Sequence, residues 1–126
     1  MSQERRRYPR APLHAEILCE NLPGGSNRGR GVICFYSTDI SVGGLFLETT
    51  IPFQEGHIIH IQLKLPGAER PLRLQGRVVR NVSSPPETAP GMAIEFLHLG
   101  YEDQRLIEGY VRGSEEAAPE KEGEAL

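Results

Sequence analysis

The chain has 126 residues, enough for one compact domain with a real core and too few for two ordinary ones. Its 38% hydrophobic and 25% charged content fits a soluble globular protein, and no apolar run is long enough to cross a bilayer. The net charge of -3 is uneven: residues 113–126 hold five glutamates against Lys121, or -4, leaving +1 for the rest. A broad basic surface for nucleic acid is therefore excluded, and the positive charge is local to the N-terminus.

Residues 1–12 combine Arg5, Arg6, Arg7 and Arg10 with Pro9 and Pro12, and read as an extended, mobile arm. Residues 13–20 alternate, with Leu13, Ala15, Ile17 and Cys19 on one face, which predicts a half-buried strand. The glycine-rich stretch 21–31 reads as a flexible loop.

A second strand is expected over residues 32–40 and a third over 45–50. Between them, Asp39 and Ser41 have short side chains that bond neighbouring backbone, while Gly43 and Gly44 tolerate positive φ and let another group approach. Pro52 and Gly56 punctuate the chain before residues 57–65, where Ile59, Ile61, Leu63 and Leu65 share one face; Pro66-Gly67 turns it.

Residues 72–78 give a fifth strand, with Gly76 marking a bulge or a close approach. Arg77 and Arg80 sit where a side chain could face a ligand or solvent, and solvent is the safer reading. After a proline-containing loop over 83–90, Met92, Ile94 and Phe96 mark a sixth strand. The period then changes: Leu106, Ile107, Tyr110 and Val111 predict an amphipathic helix over 102–112 that ends at Gly113. The acidic remainder, 113–126, is expected to be disordered.

Six short strands with frequent turns predict a mainly β fold, a six-stranded antiparallel barrel with a C-terminal α-helix. Residues 13–112 form the barrel and helix, between the arm and the tail. Cys19 and Cys34 are expected as buried thiols, since an N-terminus without a leader-like apolar region points to the cytoplasm. The scattered histidines offer no metal site. Ser41 has no implied histidine base, so no enzyme is indicated.

Arg6-x-x-x-Arg10 followed by Asp39-x-Ser41-x-x-Gly44, inside this strand pattern and with Gly91-Met92-Ala93-Ile94-Glu95-Phe96 after it, resembles the PilZ domain over roughly residues 5–112. Ala93 stands where that family often has a second glycine. The resemblance implies a bacterial receptor for cyclic diguanylate (cyclic di-GMP) with a barrel fold. It implies that Arg6 and Arg10 contact guanine and phosphate, that Asp39 and Ser41 hold the ligand from the barrel, and that Gly43 and Gly44 keep the approach clear.

Two arginines suit this ligand, whose guanine edges each carry O6 and N7 acceptors for a guanidinium fork. Arg5 and Arg7 add charge that favours a stacked, two-molecule form of the ligand. The expected function is a receptor whose arm changes conformation to regulate an effector protein, with a homodimer left open. The alternative is an interaction module of the same fold that does not use the messenger. A barrel binding single-stranded nucleic acid fits poorly with four Phe, four Tyr and no Trp.

Overall fold

The computed structural model describes residues 8–21, 32–82 and 89–125, with backbone alone at Asn21 and from residue 115 onward. Arg5, Arg6, Arg7 and most of the two predicted loops lie outside the described residues. Among the described residues seven strands occur in chain order: β1 Ala11–Pro12, β2 Glu16–Asn21, β3 Val32–Ser41, β4 Gly44–Glu48, β5 Ile58–Leu63, β6 Leu72–Val82 and β7 Gly91–Leu97. A helix, α1, spans Tyr101–Ala125.

The sheet order is β1-β3-β2-β5-β6-β7-β4, and β4 pairs back onto β3. Every pairing is antiparallel. Six strands thus close the expected barrel, which leaves no full-length edge. β1 is an addition: part of the stretch read as a free arm pairs with β3, placing Ala11 opposite Ile40 and Pro12 opposite Asp39.

The interior is filled by the residues that alternation assigns to it. Ile17, Cys19, Ile59, Ile61, Leu63 and Met92 are all essentially inaccessible. Burying each large aliphatic side chain contributes on the order of 1.5–3 kcal/mol. At Gly76 a Cβ would lie 2.6 Å from Ile94 Cγ2, so the close approach expected there is present, although the bulge in β6 falls elsewhere.

Cys34 departs from expectation and is exposed. β3 turns Phe35 and Ser37 inward, so the alternate residues Cys34 and Tyr36 point out.

The helix also differs, running past Gly113 to Ala125. Gly113 has no positive φ and so does not cap it. Glu102 and Asp103 occupy the first turn, where carboxylates favour the positive end of the helix dipole. Ile107 and Val111 are buried where α1 meets β1 and β3. No described helix is long and apolar enough to cross a membrane.

Candidate functional site

A cleft of about 420 Å³ opens on the outer face of β3, β4, β7 and β6. Its floor is set by register. Asp39 pairs with Phe46, Phe46 with Ala93 and Ala93 with Arg80, so these four residues form one row across four strands. All four are half-buried and line the cleft.

Two bulges put the charged ends of this row outside. In β3 the register shifts between Ser37 and Asp39, and in β6 between Val78 and Arg80. Ser37 and Val78 face inward and are almost fully buried. With strict alternation, residues two further along would also point into the core. The extra residues, Thr38 and Val79, reverse that and turn Asp39 and Arg80 outward.

Arg10 reaches Asp39 from the chain before β1, with Nη1 at 3.3 Å from Oδ1 and both side chains substantially exposed. Such a pair contributes no more than about 1 kcal/mol, so it orients the two groups more than it stabilises the fold. On the next row, Ser41 pairs with Gly44, Gly44 with Glu95 and Glu95 with Arg77. Arg77 Nη2 donates to Glu95 Oε1 at 3.2 Å.

The β3–β4 turn is shaped by Ser41, whose Oγ accepts the Gly43 N–H at 3.1 Å. Asp39, an alternative candidate for shaping the turn, points instead to Arg10. The turn is fastened to β7 because Phe96 N–H donates to the Gly43 carbonyl at 2.9 Å.

Neither Gly43 nor Gly44 has positive φ, so their value lies in space. A Cβ on Gly44 would fall 1.9 Å from the Ile94 carbonyl oxygen, against backbone that cannot yield. A Cβ on Gly43 would fall 3.0 Å from the Tyr8 ring, which covers this turn.

Of the residues proposed from sequence, Arg10, Asp39, Ser41, Gly43 and Gly44 come together here. Tyr8, Phe46, Val79, Arg80, Ala93 and Glu95 also line the cleft and were missed as site residues. The sequence leaves Arg80 between ligand and solvent, with solvent the safer reading; the Val79 bulge, invisible in residue types, turns it into the cleft. Exposed Val79 and Tyr8 give the site an apolar and an aromatic surface between its charged ends. Among the described residues, no three His, Cys, Asp or Glu side chains converge as a metal site.

A family model described as the PilZ domain matches residues 4–113. No curated protein matches the sequence. Among solved structures, the Bacillus subtilis inhibitor of motility MotI/DgrA aligns with TM-score 0.73 at 21% identity, over 90% of this chain and 52% of that protein. The PilZ domain of Escherichia coli YcgR with c-di-GMP aligns with TM-score 0.62 at 23% identity, over 94% and 98%. The MrkH–c-di-GMP complex of K. pneumonia aligns with TM-score 0.65 at 22% identity, over 92% and 54%. The chain spans about half the length of MotI/DgrA and MrkH. With the family model covering all of the described barrel strands, the chain belongs to the PilZ domain family.

Proposed function

We propose that this cleft binds cyclic diguanylate and that the protein is a receptor which passes ligand occupancy to an effector protein. The observation that carries this reading is that Arg10, held on Asp39, and Arg80 stand at opposite ends of a row whose middle is Phe46 and Ala93. A guanidinium at each end meets a phosphate or the O6/N7 edge of a guanine, and the apolar floor and Tyr8 accept the flat base faces. The cleft volume lies within the roughly 300–1,000 Å³ range of small-ligand sites.

Asp39 serves the ligand in one of two ways, by accepting from guanine N1 and N2 or by holding Arg10 in place. Ser41 and Gly44 act through the backbone, by keeping the turn and the β4–β7 approach intact. Arg6, four residues before Arg10 in the sequence, supplies a further guanidinium; Arg5 and Arg7 add charge for a stacked ligand pair. The c-di-GMP held by the YcgR PilZ domain and by MrkH supports the same ligand for this chain.

Isothermal calorimetry with cyclic diguanylate tests the reading, with guanosine monophosphate as the control. Saturable heat with the cyclic dinucleotide and none with the mononucleotide is expected. An absence of saturable heat at high protein concentration would leave the fold as an interaction module that does not use the messenger.

A further inference from the structure

The arm that carries Arg10 is gripped from two sides. On one side, β1 pairs with β3, so that Pro12 stands opposite Asp39, the residue that holds Arg10. On the other, Tyr110 of α1, distant in sequence, donates its phenolic O–H to the Pro12 carbonyl at 2.6 Å. Leu13 completes the grip: its side chain is buried and its N–H donates to the Thr38 carbonyl at the β3 bulge.

Around this bond α1 is anchored by Ile107 and Val111, while Ala11 is buried beside it in the same core. The helix therefore rests on the two strands, β1 and β3, that position Arg10 and Asp39. Part of its contact with the barrel is therefore contact with the arm.

From this geometry we propose that Tyr110 is a positioning residue for the ligand site, fixing Pro12 and with it the reach of Arg10, so that cleft occupancy and the docking of α1 are coupled. The proposal rests on the cyclic diguanylate reading. Because coupling between two equilibria is reciprocal, a ligand that draws Arg10 into the cleft must tighten or loosen the helix by the same factor that the helix contact changes ligand affinity. α1 is then the element through which a partner senses the site.

The test uses the full chain and its Tyr110→Phe variant, which keeps the ring and removes only the donor. Calorimetry should show a loss of cyclic diguanylate affinity between about two- and ten-fold, the range of one neutral hydrogen bond. Amide exchange across residues 101–112 should change on ligand addition in the wild type and change less in Tyr110→Phe. A purely structural role would lower stability without separating the two helix responses. Saturable binding with no change in helix exchange in the wild type, or equal changes in both proteins, overturns the coupling.

A ligand-free arm keeps the test independent of the ligand assignment. Arg10→Ala should raise exchange at 107–111 by up to about five-fold, the ceiling for an exposed ion pair, and should do so less in the Tyr110→Phe background. Equal rises in both backgrounds, or none, would refute the positioning role even if calorimetry found no cyclic diguanylate binding.

Discussion

Asp39 and Arg80 stand at the two ends of one cross-strand row, and each is turned to the outer face by a bulge immediately before it. A bulge interrupts a ladder and strengthens the local twist, so a barrel with two of them on the walls of one cleft is locally shaped for that cleft. Between them, Phe46 and Ala93 keep ordinary alternation. With Arg10 held on Asp39, a guanidinium stands at each rim and the apolar groups form the floor.

Arg10→Ala and Arg80→Ala should each weaken cyclic diguanylate binding by about 1.5–3 kcal/mol, the scale for a hydrogen bond to a charged group. Melting temperatures should hardly move, because both side chains are at least partly solvated. Arg80→Lys should recover little, since the ammonium keeps the charge and loses the fork. Arg105, stacked over Tyr101 on α1, is the control: Arg105→Ala should leave affinity unchanged. Calorimetry in which Arg80→Ala matches the wild type would remove the β6 end from the site.

The two glycines of the turn should fail differently. Gly44→Ala drives a methyl into the Ile94 carbonyl and should destabilise the barrel by about 1–3 kcal/mol or more, as overpacking against fixed backbone does. Gly43→Ala presses on the Tyr8 ring, which can swing away. It should cost little stability and act on affinity, if Tyr8 stacks on the ligand. Thermal melts and calorimetry on the pair distinguish these outcomes.

Ser37 is a buried hydroxyl with a full set of duties. Its Oγ donates to the Leu13 carbonyl and accepts the Ala15 N–H at 3.2 Å, while its own N–H donates to the Ala15 carbonyl at 3.0 Å. Ser37→Ala leaves the buried Leu13 carbonyl and the part-buried Ala15 N–H without that partner and should cost about 1–3 kcal/mol. The lost stability should appear as faster amide exchange at residues 13–15, where the chain leaves the arm and enters β2.

Much of this architecture is written in period-two alternation: Ile59, Ile61, Leu63 and Leu65 point inward as their spacing requires. The cleft was half legible for the same reason. Motif spacing draws attention to Arg10 and Asp39, yet nothing in the residue types of Thr38 or Val79 announces an extra residue in a ladder. Since bulges arise from strand pairing, the residue types could not decide between ligand and solvent for Arg80. Gly113 misled in the opposite direction, because a glycine ends a helix only when it adopts left-handed φ. Cys34 was misplaced by a composition argument, whereas its neighbours Phe35 and Ser37 fix it outside.

The cysteines provide a last prediction, in pH. Burial, with a smaller contribution from Cys34, pushes the Cys19 thiol from its ordinary 9.0 up to about 12. Cys19 is therefore protonated and inert in the fold, while Cys34 is exposed, so a thiol reagent at neutral pH should modify Cys34 alone until the protein unfolds. The neutral thiol is favoured in the folded state, so unfolding releases a proton once the pH exceeds the ordinary value. Its stabilising contribution is complete below about pH 9 and is lost progressively as the pH climbs toward about 12. Across that window the slope from this one group is at most about 1.4 kcal/mol per pH unit. Cys19→Ala removes the titrating group and should flatten this part of the decline, measured by urea unfolding at about pH 8 and about pH 10.5. Parallel declines in wild type and Cys19→Ala would mean that other groups, and not this thiol, set the alkaline limit.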